Sequence, residues 1–285
     1  MGAAIDIKNL NKGYQNFDLS EISFSVPKGT IVGLIGENGA GKTTTLKAIL
    51  NLIEYDSGDI TIFDTPSTSI KKISEEIGVV FDDLCFHENL TINQLGNIMQ
   101  GMYKKWNSDL FRKYCNQFLL DDKKLIGELS RGMKTKLSIT IALSHQPKLL
   151  ILDEATSGLD PVMRDDILDI FLDFIQDENH AVLLSTHITS DLEKVADYIV
   201  FIHHGKLIFS LAKDVLLYQY GILRCTTEVF NQINQEDILV YRKKEFEWEI
   251  LVADKERVAR KYRNCVIDNA TIDDIMLLYI KGVKP

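Results

Sequence analysis

The chain has 285 residues, more than one compact domain usually needs, so a large domain with a smaller companion is expected. Hydrophobic residues at 45% and charged residues at 26% describe an ordinary globular protein rather than a disordered or fibrous one. A net charge of −9 argues against a nucleic-acid binder held by a broad basic surface, while leaving room for a local basic patch.

In chain order, Ile5 and Ile7, with Asn9 next in the alternation, are spaced by Asp6 and Lys8. Leu19, Ile22, Phe24 and Val26 then lead to the turn signal Pro27-Lys28-Gly29, so an antiparallel strand pair is predicted over the first thirty residues. Ile31 to Ile35 reads as a buried strand, and residues 36–44 follow as Gly-Glu-Asn-Gly-Ala-Gly-Lys-Thr-Thr. This is the phosphate-loop pattern G-x-x-x-x-G-K-[ST] in full, from Gly36 to Thr43. Leu46, Ile49 and Leu50 continue at helical spacing, which completes strand, glycine loop and helix. Gly36, Gly39 and Gly41 let the backbone wrap so that the amides of Glu37, Asn38, Ala40 and Thr44 and the helix start face one anion. Lys42 is expected at the β- and γ-phosphates of a nucleotide, and the Thr43 hydroxyl on Mg²⁺.

Asp56 to Asp59 reads as a turn before a short strand, Ile60 to Phe63, and Ile77 to Phe81 reads as another strand. Across about residues 91–146 helical spacing takes over (Ile92, Leu95, Ile98 and Met99, then Leu110, Phe111, Tyr114 and Phe118), predicting a helical insertion. Asp121-Asp122-Lys123-Lys124 within it is a solvated turn. Leu149 to Leu152 is a buried strand running into Asp153-Glu154. In a phosphate-loop protein the first acid can hold Mg²⁺ and the second can deprotonate an attacking water. Ala181 to Ser185 is a further strand, so a mostly parallel sheet with helices on its faces is predicted. His203-His204 beside Gly205 reads as a hairpin tip rather than a metal site.

Near residue 213 the texture shifts, and residues 1–212 and 213–285 are expected to be separate domains. In the second, strands are predicted at 222–225, 238–241, 246–250 and 264–267, with helices at 227–233 and 254–262 between them. That order is that of a split βαβ unit. A last helix begins at Thr271, with Asp274 placed for a capping box, and stops near Gly282. Such a unit could regulate, help dimerise or stabilise.

Cys85, Cys115, Cys225 and Cys265 form no C-x-x-C pair, so reduced thiols are expected. No apolar run approaches the roughly 18–20 residues of a membrane helix, and the first residues lack the basic and apolar regions of a signal peptide. Gly2 would suit myristoylation, but position 6 is Asp. Membrane contact is therefore expected through a partner.

Leu129-Ser130-Arg131-Gly132-Met133 adds a further motif, and with it a resemblance to the nucleotide-binding subunit of an ATP-binding cassette (ABC) transporter. Leu-Ser-x-Gly resembles that family's signature. Ala155-Thr156-Ser157-Gly158-Leu159-Asp160-Pro161 is similar to the loop after its acid pair, and Ser185-Thr186-His187 to its switch histidine. Tyr14 stands where the family places an adenine-stacking aromatic. The resemblance spans roughly residues 4–210. It implies a phosphate-loop ATPase core with an antiparallel β subdomain, acting as a head-to-tail pair, a homodimer or one with a second nucleotide-binding subunit. Each signature would close over the other chain's ATP. Glu154 would be the base, His187 would touch the γ-phosphate, and Asp160 would bridge the two chains. The implied partner is an integral membrane transporter subunit, and the implied location is the cytoplasmic face of the membrane.

Two positions depart from the family pattern. Asp82 stands where the family has a Gln near Mg²⁺, and Gly132-Met133-Lys134 replaces Gly-Gln, so Lys134 could bring charge near phosphate. These variants, with the small C-terminal extension, resemble the ABC-2 export group, which includes ATPases of antimicrobial-peptide and small-peptide exporters. Phe86 and Leu90 would then lie near the groove for the transporter's coupling helix. Rival readings are a soluble ABC protein, which usually carries two cassettes or a long coiled coil, and a regulatory subunit with little turnover.

Overall fold

The computed structural model describes residues 2–81, 86–263 and 265–285. Two strands open the chain, β1 (Ala3–Tyr14) and β2 (Phe17–Pro27), paired antiparallel. The alternation that starts at Ile5 fails at Asn9, whose φ of 50° and local register shift mark a bulge, so Leu10 rather than Asn9 is the next inward residue. β3 (Thr30–Ile35) follows, and the phosphate loop leads into α1 (Lys42–Ile49). β4 (Ser57–Ile62) turns into β5 (Thr65–Pro66) through Phe63 and Asp64, both at positive φ. Phe63, read as strand in the sequence, is therefore a turn residue. β6 (Ile77–Val80) closes this region.

The helical stretch contains α2 (Ile92–Met102), α3 (Ser108–Gln117) and α4 (Arg131–Ser144). Thr91 and Gln94 form a capping box on α2, and Asn107 caps α3. β7 (Leu149–Asp153), α5 (Pro161–Phe174), β8 (Ala181–Ser185), α6 (Thr189–Val195), β9 (Tyr198–His203) and β10 (Lys206–Ala212) complete the larger sheet. Its order is β5-β4-β1-β2-β10-β9-β3-β8-β7-β6. β9, β3, β8, β7 and β6 run parallel, whereas β1, β2, β4 and β5 are antiparallel. β7 and β8 are buried at every residue, as expected of strands covered on both faces.

A second sheet follows the connecting helix α7 (Lys213–Tyr218). It is built from β11 (Gly221–Cys225), α8 (Thr227–Phe230), β12 (Val240–Lys243), β13 (Trp248–Val252), α9 (Lys255–Lys261) and β14 (Val266–Asn269). Its four strands are ordered β12-β13-β11-β14, with all neighbours antiparallel, the pattern of a split βαβ unit. A small core of Leu223, Ile250, Val252 and Val258 covers one face. The last helix, α10 (Ile272–Lys281), buries Ile272, Ile275 and Leu278 in the same continuous core as Phe201 of β9. Tyr279 meets Phe201 and Phe209 at ring-centroid distances of 6.0 and 5.8 Å. This packing joins the second sheet to the first.

Candidate nucleotide site

The phosphate loop crosses the C-terminal end of β3, between β8 and β9 in the sheet. Gly41 sits at φ 112°, and a Cβ there would lie 2.5 Å from the Leu19 side chain, so only glycine fits. The loop is braced from behind by the β9–β10 hairpin. There the Gly205 amide donates to the Ala40 carbonyl (3.0 Å), and the Gly205 carbonyl accepts from Ser20 (2.8 Å). His204 and Gly205, at φ 46° and 70°, form the tight turn suited to a two-residue hairpin. His203 Nδ1 faces Glu37 of the phosphate loop at 3.3 Å.

A cavity of about 520 Å³ opens over the loop. Glu37, Asn38, Gly39, Gly41, Lys42, Thr43 and Thr44 line it, while Ala40 is buried beneath. Asn16, Phe17 and Glu154 complete the wall. Tyr14 is not part of this wall. It is 48% exposed, with the Lys12 ammonium 5.3 Å above its ring. Phe17, three residues on, is the aromatic that reaches the cavity, and neither it nor Asn16 stood out in the sequence.

Lys42 is only 6% exposed. Its ammonium donates to the Gly36 carbonyl at 2.7 Å and the Glu37 carbonyl at 3.3 Å, and lies 3.8 Å from Glu154 Oε1. Burial holds its pKa below the usual lysine value, against the opposing pull of the Glu154 and Asp153 carboxylates. β8 separates β3 from β7, so the acid pair reaches across one strand. The Thr43 hydroxyl donates to Asp153 Oδ2 at 2.7 Å, whereas the buried Oδ1 has no partner among the described residues. A buried carboxylate oxygen left unpaired beside a threonine hydroxyl is a fitting donor set for a hard divalent cation. Asp82, the third expected metal ligand, lies outside the described residues.

Glu154 sits at φ 54°, a strained conformation for a residue with a side chain, and its amide donates to the Ser185 carbonyl (2.8 Å). The strained turn aims the carboxylate between two cations or potential cations. Oε1 faces Lys42, and Oε2 contacts His187 Nδ1 at 2.7 Å. His187 stands at the end of β8 and is half-exposed. Lys42 and Glu154 thus meet in the cavity wall, and His187, which does not line the cavity, joins them through Glu154.

The signature residues are elsewhere. Ser130 caps α4, accepting from the Met133 amide at 3.3 Å, and none of Leu129, Ser130, Arg131, Gly132 and Met133 lines the cavity. Ser157, Gly158, Leu159 and Asp160 are also outside it, although Gly132 approaches Gly158 and Leu159. Asp160 caps α5, accepting from Met163 at 3.0 Å, with Pro161 at the first helical position. Lys134 pairs with Glu88 at 3.5 Å, which draws its charge toward the segment before α2. Phe86 lines a separate 270 Å³ cavity with Met99, Met102 and Tyr103, and Leu90 packs into the core.

A strand–loop–helix phosphate cradle, with an acid pair one strand away, defines a P-loop nucleoside triphosphatase. The ABC transporter family model matches residues 19–157. The chain is 35% identical over 221 residues to the bacitracin transport ATP-binding protein BcrA of Bacillus licheniformis, covering 76% of this chain and 72% of that protein. It is 35% identical over 213 residues to the lantibiotic transport ATP-binding protein SrtF of Streptococcus pyogenes, covering 74% and 91%. A solved ATP-binding subunit of an ABC transporter shares 27% identity with a TM-score of 0.68, over 75% of this chain and 91% of that one. The chain belongs to the ABC transporter ATP-binding subunits, and it is an ATPase of that family.

Proposed function

We propose that this subunit powers export of antimicrobial or other small peptides through a separate membrane-spanning subunit. It docks at the cytoplasmic face of the membrane and works as a head-to-tail dimer with two Mg-ATP at the interface. No helix among the described residues is long and apolar enough to cross a membrane, so the translocation path belongs to the partner. The observation that carries the dimer is the placement of the signature. Ser130 and the start of α4 form a helix-terminus anion site, yet they do not line the chain's own ATP cavity. A second copy supplies the missing wall. The bacitracin and lantibiotic transport names of the two relatives support the peptide class.

In this reading the loop amides and Lys42 hold the β- and γ-phosphates. Thr43 and Asp153 would hold Mg²⁺, which would supply positive charge against the phosphoryl oxygens. Glu154 takes the proton from the attacking water, and His187, hydrogen-bonded to it, orients that carboxylate and reaches the γ-phosphate. Phe17 and Asn16 offer an apolar face and a polar edge to the rest of the nucleotide. We take residues 1–212 as the ATPase domain and 213–285 as an accessory domain, the division that follows the two sheets. Co-expression with a candidate membrane-spanning transporter subunit tests the function. Co-purification, raised ATPase turnover and peptide resistance that Glu154→Gln abolishes are expected. Resistance unchanged by Glu154→Gln would refute it.

A further inference from the structure

The helix that follows the switch histidine is tied to the C-terminal unit. α6 begins two residues after His187, is seven residues long and has no side-chain N-cap. A helix this short has little stability of its own, so its position is set by what it touches. The buried Thr189 hydroxyl donates to Asp273 Oδ1 at 2.8 Å, in the first turn of α10. One turn further along α6, Glu193 Oε1 accepts from the Ile272 amide at 3.0 Å, one of the α10 N-terminal donors that the helix itself cannot satisfy. α10 is in turn a firm base. Its own start is locked by the Thr271–Asp274 capping box, and Tyr279 packs on Phe201 and Phe209.

On its opposite side, α6 carries Asp191, 4% exposed and lying against Thr156 of the loop after the acid pair and Arg164 of α5. Lys194 at its end pairs with Asp165 and Asp169 of α5. One short helix thus joins three things: the histidine that contacts Glu154, the loop after the acid pair, and the C-terminal unit. The tie spans 84 residues of sequence and lies outside the matched family region, residues 19–157.

We propose that the C-terminal unit is a positioning element for ATP hydrolysis, with the Thr189–Asp273 and Glu193–Ile272 contacts holding α6 so that His187 stays against Glu154. This rests on the reading of Glu154 and His187 as the hydrolytic pair. Asp273 and Thr189 touch neither the cavity nor the reacting atoms; they act through His187. Losing the contact frees α6 to shift, and the cost falls on turnover rather than on nucleotide affinity.

The test measures kcat, KM and ATP affinity on the full chain for Asp273→Ala, Thr189→Val, their double variant and Asp273→Asn. Each single variant is expected to lower kcat about three- to tenfold, less than the full worth of a hydrogen bond to a charged group because the contact acts through His187. ATP affinity should stay within about twofold, and the double variant should be no slower than either single one, as for two halves of one contact. Asp273→Asn, whose amide oxygen still accepts from Thr189, should restore most of the loss. Unchanged kcat in both single variants overturns the proposal, as does a loss of ATP affinity matching the loss of kcat. His187→Ala serves as the control. Low turnover there with normal Asp273→Ala turnover defeats this inference alone, whereas normal turnover in His187→Ala defeats the hydrolytic reading beneath it.

Discussion

Replacing Lys42 by Met tests the phosphate cradle in isolation. Methionine keeps a long apolar stem in a site where the lysine is only 6% exposed, so packing changes little while the charge is lost. An ammonium has three donors. Two are committed here to the Gly36 and Glu37 carbonyls, at 2.7 and 3.3 Å. The third faces Glu154 Oε1 at 3.8 Å and can turn to a phosphate oxygen. One charge-assisted hydrogen bond is worth about 1.5–3 kcal/mol, so Kd for ATP should rise roughly ten- to 150-fold. The 3.8 Å contact with Glu154 is lost as well, but it falls on the free protein and does not weaken the bound state. Titration with a fluorescent ATP analogue, alongside a thermal melt to confirm folding, reads the change. A folded Lys42→Met protein that binds ATP within about twofold of the parent would refute the assigned role.

Glu154→Gln keeps the side-chain shape and the contact with His187 but removes the base, so single-turnover phosphate release should slow by about 10²–10⁴ while ATP binding persists. Asp153→Asn weakens the oxygen set beside Thr43, and the Mg²⁺ concentration for half-maximal turnover should rise, read by metal titration. Gly41→Ala places a Cβ 2.5 Å from Leu19 at a φ that only glycine tolerates, and should abolish detectable ATP binding. Asp237 offers a pH test away from the site. Burial raises its pKa, but hydrogen bonds from Lys261 and Tyr262 and the charges of Lys261 and Arg257 outweigh this, leaving it below the usual carboxylate range. A carboxylate with a depressed folded pKa stabilises above its unfolded pKa and loses that contribution as pH falls through the folded value. Asp237→Asn should therefore lower the melting temperature at neutral pH, and the gap from the parent should close in acid.

Much of the site was legible because phosphate chemistry demands a fixed local pattern. Gly36 to Thr44 lie in one loop, so their spacing alone brings them together. Asp153 and Glu154 were readable because a buried strand, Leu149 to Leu152, runs straight into charge. The fold class followed from the same alternation of buried strands and helices. What the sequence hid depends on pairing at a distance. Phe17 reaches the cavity only because β1 and β2 fold back and present it beside Gly41. Gly205 braces the phosphate loop from 165 residues away, a role no local pattern encodes. Lys134 pairs with Glu88, a partner in the segment before α2 that no local pattern signals. Asn9 continues a strand alternation on paper, but its backbone adopts a bulge that shifts the register.

The central claim is that each ATP site is completed by a second copy. Sedimentation of Glu154→Gln with and without Mg-ATP, beside Glu154→Gln carrying Ser130→Arg, tests it most directly. The expected result is a dimer holding two nucleotides in the first protein only with ATP, and an ATP-bound monomer in the second. ATP-saturated Glu154→Gln that stays monomeric, or a Ser130→Arg form that dimerises equally well, would contradict it.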